Sequence, residues 1–182
     1  MDRKYDAKFG ALKSPEFKTM AKKVLNAFGR DRVALVGGLA VSYYANPPVT
    51  MDADFLVLGS CGDAMEGAEE WFASPQWQID IMKFDGSVPE HCIRVACNKP
   101  PMIVDLLTTG RVPYLKSIVA RAVEVEVQTG LRVPIAQVED VIVMKTIARR
   151  DKDLADIGAL GVKLGKKIDQ QYIQRILASG FR

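Results

Sequence analysis

The chain has a single histidine, His91, and only three cysteines, Cys61, Cys92 and Cys97. An odd number of thiols without metal-ligand spacing supplies neither a disulfide framework nor, with one imidazole, a zinc site. Reduced thiols fit a cytosolic setting, so a cytoplasmic protein is expected. No apolar run approaches the ~20 residues of a membrane span, and the opening MDRKYDAKFG has no apolar segment of the kind a signal peptide needs. No membrane partner is therefore expected. Dense basic runs are also missing: the net charge of +3 permits contact with a nucleic acid without demanding it. Two nucleotide motifs are absent from the glycine-bearing centre of the chain. It lacks the third glycine of G-x-G-x-x-G and the Gly-Lys-Ser/Thr of a phosphate-binding loop. What is present is 182 residues with 48% hydrophobic content, enough for one well-buried core and too short for two ordinary domains.

The informative stretch is Val33 to Leu58, VALVGGLAVSYYANPPVTMDADFLVL. It reads as a strand from Val33 to Val36, a Gly37-Gly38 corner, a helix from Leu39 to Ala45, a Pro47-Pro48 break and a strand opening on Asp52 and Asp54. A glycine pair after a strand lets the backbone pass close to a phosphate, and the N–H groups that open the next helix attract anions. Alternate strand residues share a face, so Asp52 and Asp54 point the same way across Ala53. Two carboxylates side by side repel unless something positive sits between them, and a divalent cation with oxygen ligands is the usual solution. The pattern suits a nucleoside triphosphate with its metal; the bland alternative is a tight turn followed by a polar strand entrance.

Around this stretch the chain reads as mixed α and β. Ser14-Pro15-Glu16 resembles a helix start, Phe17, Met20, Val24, Leu25 and Phe28 recur at helical spacing, and Gly29 is a stop. Asp63 to Phe72 is expected to be a helix, with strands over Gln78 to Phe84 and Ile93 to Cys97 and a turn at Asp85-Gly86. Met102 to Thr108, MIVDLLT, is an apolar run holding one acid, Asp105, which is expensive in a buried strand unless paired or bound to metal. Asp80 interrupts the strand pattern of QIDIMKF in the same way. Tyr114 to Ala120 suggests a short helix, and Ala122 to Gln128 and Leu131 to Pro134 suggest a hairpin turned at Thr129-Gly130. From Gln137 the period changes to helical, with a joint near Asp151 and a last helix over Asp169 to Leu177. If the helix runs on through the joint, Lys145, Arg149, Lys152 and Asp156 share one face.

Gly37, Gly38, Ala40, Thr50, Asp52 and Asp54, in the order GG-x-A-x(9)-T-x-D-x-D, resemble the signature of the polymerase-beta-like nucleotidyltransferase superfamily, in particular its small bacterial branch of AbiEii-type toxins. The string from Lys145 to Ile157, K-x(2)-A-R-x(2)-KDLADI, is similar to the C-terminal motif of that branch, and the resemblance spans roughly Val33 to Leu160. Pro48 stands where the branch often has arginine.

The resemblance implies an α+β nucleotidyltransferase fold: a mixed sheet with flanking helices over residues 1–136, and a helical C-terminal part, 137–182, closing a cleft in one compact unit. It implies transfer of a nucleoside monophosphate from an NTP to an acceptor, with two Mg²⁺ ions, or Mn²⁺, held by Asp52, Asp54 and a third acid from a later strand. Asp105 is the candidate for that third acid and Asp80 its rival. Gly37, Gly38 and Ser42 would face the phosphates, with Lys145, Arg149 and Lys152 adding charge. The acceptor is left open among RNA, protein and small molecules. A second class of function also stays open: an interaction protein of a toxin–antitoxin or phage-defence pair, with a cognate toxin or antitoxin partner and little turnover. Simple nucleic-acid binding, the third class, has only the mild positive charge behind it.

Overall fold

The computed structural model describes residues 11–45, 52–84, 88–89 and 91–181. The Pro47-Pro48 break, Thr50 and the Asp85-Gly86 turn lie outside the described residues. Helix α1 (Pro15–Phe28) begins where expected, with the Ser14 hydroxyl accepting the Phe17 N–H at 3.0 Å and Pro15 in the first turn. It stops at Gly29, whose φ of 84° lies in the region that favours glycine. Strand β1 (Val33–Val36) follows and runs straight into α2 (Gly37–Tyr44). The glycine pair opens α2, and Gly37, with a φ of 64°, makes the expected corner between strand and helix.

Strand β2 (Asp52–Val57) carries the paired acids, and α3 (Cys61–Trp71) comes next. That helix starts two residues earlier than composition suggests because Ser60 and Asp63 cap each other's backbone N–H groups, a reciprocal box that fixes the first turn. Strands β3 (Trp77–Lys83), β4 (His91–Asn98) and β5 (Pro101–Thr108) complete one side of the sheet. Helix α4 (Pro113–Arg121) leads to the hairpin of β6 (Val123–Gln128) and β7 (Leu131–Ile135), turned at Gly130 with φ 72°. The chain then becomes helical: α5 (Val138–Ala148), α6 (Asp151–Leu164) and α7 (Gln170–Ser179).

The sheet has seven strands in the order β3-β4-β5-β2-β1-β7-β6. It is mixed, as expected: β2 pairs with β5 and β1 with β7 in parallel, and the remaining neighbours are antiparallel. Helices α1 and α3 cover one face, where Ala53, Phe55, Ile93, Val95, Val104 and Leu106 are fully buried with Phe17, Met20 and Phe72. Alternation along the same strands sends Asp52, Asp54, Arg94 and Asp105 to the other face. There α2 packs with α5 and α6. The hydroxyl of Tyr44 ties the end of α2 to the end of β7 by donating to the Ala136 carbonyl at 2.7 Å. None of the described helices is long and apolar enough to cross a membrane.

Candidate functional site

Between the polar sheet face and the C-terminal helices lies a cleft of about 780 Å³. Its sheet wall carries Asp52, Asp54, Arg94 and Asp105, its floor Gly37 and Gly38, and its helical wall Lys145, Arg150, Lys152 and Asp156.

Strand register brings the acids together. Asp54 on β2 lies opposite Asp105 on β5, and Asp105 in turn lies opposite Arg94 on β4. Adjacent strands are ~4.8 Å apart, so these three side chains stand in one row. Asp54 has no described hydrogen-bond donor, and its carboxyl is pushed up from its ordinary 3.8 to about 7, first by burial and then by Asp105 and Asp52, against the opposing pull of Lys152 and Lys145. Asp105 is held differently. Both its oxygens accept from the Arg94 guanidinium, Oδ1 from Nε at 2.8 Å and Oδ2 from the terminal nitrogen at 2.6 Å. Its side chain is only 10% exposed, and this fork-to-carboxylate geometry is the strongest form of the ion pair. The Cys92 thiol, also in the cleft, is pushed up by burial and by Asp105, so it stays an unreactive thiol.

Gly37 sits against the acids with no room to spare. A Cβ at this position would fall 1.9 Å from the Asp54 Oδ2, and the backbone φ of 64° is itself one that side chains disfavour. Glycine is thus required for the start of α2 to come this close to the carboxylate.

The helical wall owes its shape to a break. Arg149 adopts left-handed backbone angles, φ 52° and ψ 28°, and separates α5 from α6. The continuous face proposed for Lys145, Arg149, Lys152 and Asp156 does not form: Arg149 is exposed, bonded to the Thr146 carbonyl, and does not line the cleft, whereas Arg150 does. Buried Asp153 organises this corner. It accepts from Lys145 Nζ at 3.0 Å and from Arg150 Nε at 2.7 Å, and Asp156 meets the same Lys145 Nζ at 2.6 Å. Burial pushes Asp153 up, but Arg150 and Lys145 outweigh it and hold the carboxyl below its ordinary range. Two cations are thus matched by two carboxylates, while Lys152 makes no ion pair with another described residue.

Of the residues singled out by sequence, Gly37, Gly38, Asp52, Asp54, Asp105, Lys145 and Lys152 line one cleft. Ser42 does not; its hydroxyl donates to the Gly38 carbonyl at 3.1 Å within α2. Asp80, on edge strand β3, is exposed and accepts from Gln78 Nε2 at 3.0 Å, away from the cleft lining. Arg94 and Arg150 were missed, and Asp153 lay inside the Lys145–Ile157 string without a role of its own. Arg94 left a weak trace, a cation at an alternating position of an apolar strand, but its partner follows only from the β4–β5 register.

A divalent cation of the Mg²⁺ type requires hard oxygen donors close together. Asp52 and Asp54 fit: they are adjacent hard oxygen donors, and the raised carboxyl of Asp54 is what a nearby positive charge would relieve. Asp105 does not fit as it stands, because Arg94 already engages both oxygens. Among the described residues no group of three or more acids, histidines or cysteines is arranged to hold a metal ion.

No protein-family model and no curated protein matches the chain. Among solved structures it is similar to the crystal structure of JHP933 from Helicobacter pylori, at 20% identity and a TM-score of 0.52, over 96% of this chain and 75% of that one. At that identity the likeness concerns the fold alone.

Proposed function

We propose that the chain has a nucleotidyltransferase fold and transfers a nucleoside monophosphate from an NTP to an acceptor. The observation that carries this reading is the meeting of Asp54, Asp52 and the tightly apposed Gly37 in one cleft opposite Lys152. In such a reaction an acceptor oxygen attacks the α-phosphorus, the bond to the β-phosphate bridging oxygen breaks, and pyrophosphate leaves. Catalysis of this kind is mostly positioning and charge stabilisation. Gly37 and Gly38 let the phosphates approach the backbone N–H groups of α2. Lys152, with no described carboxylate partner, stabilises the charge that builds on the leaving pyrophosphate. Lys145 and Arg150, neutralised by Asp153 and Asp156, shape the wall and add little net charge. Asp52 and Asp54 would hold a divalent cation such as Mg²⁺, which when bound supplies Lewis-acid activation of phosphoryl oxygens.

The test is incubation of the protein with Mg²⁺, each α-labelled NTP and a crude extract of RNA, protein and small molecules. Label should move to an acceptor and should fail to do so with Asp54→Asn. Absence of transfer with every nucleotide, together with no NTP-dependent rise in melting temperature, would overturn the reading.

One observation favours a second reading, an interaction protein of a toxin–antitoxin or phage-defence pair that binds nucleotide with little turnover. The candidate third acid, Asp105, is committed to Arg94. Nucleotide-dependent stabilisation without label transfer in any extract is the outcome that selects it.

A further inference from the structure

Resting on the proposed function, we infer that this site takes a single divalent cation, on Asp52 and Asp54, and that the Arg94 guanidinium stands in for a second one at Asp105. The row of register partners Asp54, Asp105, Arg94 sets the argument. A carboxylate reached by a planar fork from Nε and a terminal nitrogen, at 2.8 and 2.6 Å, has its charge matched and its oxygens engaged in the plane. A cation placed on Asp105 would sit beside that guanidinium and be repelled by it. Bound through the remaining lone pairs, it would still face the guanidinium across the same carboxylate and would weaken the fork that holds Asp105.

The charges around Asp105 point the same way. The sheet wall carries three carboxylates, Asp52, Asp54 and Asp105, and one cation, Arg94. Of these, Asp105 has its charge matched by Arg94 at 2.6 Å. Across the cleft, Lys145 and Arg150 are matched by Asp153 and Asp156, so they leave no excess positive charge to satisfy the acids. A second divalent ion at Asp105 would sit beside a cation, Arg94, and Lys152 would add to the repulsion before any nucleotide arrived. Arg94 is thus a positioning residue: it holds Asp105 in the row and keeps a second metal out.

The experiment is titration of the full chain with Mn²⁺ alone, followed by electron paramagnetic resonance of the free and bound ion. The parent should bind one Mn²⁺ per chain as an isolated, uncoupled ion, and Asp54→Asn should lose it. Arg94→Met should gain a second ion, at least ~10-fold tighter than any further binding by the parent, with the exchange-coupled signal of ions ~3.5–4 Å apart. Arg94→Lys, which keeps the charge but not the fork, should remain at one. Two coupled ions in the parent overturn the inference without need of any variant, and so does Arg94→Met still binding one. Label transfer on the same parent preparation separates the two proposals. Transfer with two ions bound sinks this inference and leaves the proposed function standing, whereas no ion and no transfer sink both.

Discussion

Two carboxylates, buried Asp140 on α5 and half-buried Asp54 on β2, are pushed upward by the same cause and live in opposite surroundings. Burial raises both. At Asp140 the neighbours offset part of that cost: Arg121 pairs with it at 2.7 Å, Tyr114 donates at 3.0 Å and Tyr172 at 2.9 Å. At Asp54 the nearest neighbours are Asp105 and Asp52, which add to the cost, and no described group donates to it. The first arrangement ties α4, α5 and α7 together and needs nothing further. The second is an arrangement that an added positive charge would relieve, as expected of a binding carboxylate under the proposed function.

The comparison is broken most directly by Asp140→Ala. It strands the Arg121 guanidinium and two tyrosine hydroxyls beside an apolar core, so a loss of about 3–5 kcal/mol is expected by denaturant unfolding. A change within error would show that α7 is not clamped by this cluster.

Asp54→Asn should act in the opposite direction. A folded-state carboxyl raised from 3.8 to about 7 contributes its full stability only below the unfolded value, and that contribution is lost as pH rises through about 7. The metal-free parent should therefore weaken between about pH 4 and pH 7, by at most about 4 kcal/mol at ~1.4 kcal/mol per pH unit. Asp54→Asn should flatten this profile, be the more stable protein at pH 8, and lose the melting-temperature rise that Mg²⁺ gives the parent. If the variant is less stable than the parent at pH 8 without metal, Asp54 belongs with Asp140 as a structural group.

How far the sequence reaches differs between the two regions for a physical reason. Short-range devices were legible: the Ser14 cap, the Gly29 stop, the Thr129-Gly130 hairpin and the two-residue spacing of Asp52 and Asp54 all act within a few residues. The choice of Asp105 over Asp80 as the acid beside Asp54 needed strand order, because both interrupt apolar strands alike and only β5 lies next to β2. The Asp140 cluster was not legible, since its donors come from α4 and α7, 19 to 32 residues away along the chain. The joint near Asp151 was visible, but its consequence was not. A left-handed residue at Arg149 rotates the following helix, which takes Arg149 out of the cleft and brings Arg150 in.

Tyr172→Phe sharpens the comparison on a smaller scale. It removes one of the donors to Asp140 while leaving Arg121 and Tyr114 in place. About 1 kcal/mol of destabilisation is expected, read as a drop in melting temperature, with no change in the response to Mg²⁺ or NTP. A loss of the nucleotide response would mean that α7 communicates with the cleft.

Lys152→Gln should have the smallest effect on stability and a selective effect on binding. The lysine is exposed, opens onto the cleft from the first turn of α6, and forms no ion pair with a described residue. Removing its charge costs the fold less than about 0.5 kcal/mol, the usual result at a surface site without special contacts. It also removes one of the opposing pulls on Asp54, so that carboxyl should titrate slightly higher still and the metal-free protein should weaken a little more at pH 8 than the parent. Toward a triphosphate the loss should be larger, roughly 10-fold in affinity for one charge-assisted contact, and smaller for a nucleoside monophosphate that does not reach as far along the wall. Isothermal titration with both ligands in the presence of Mg²⁺ reads this directly. Equal weakening toward the two would place Lys152 at the nucleoside and not at the distal phosphates, and no weakening toward either would remove it from the site.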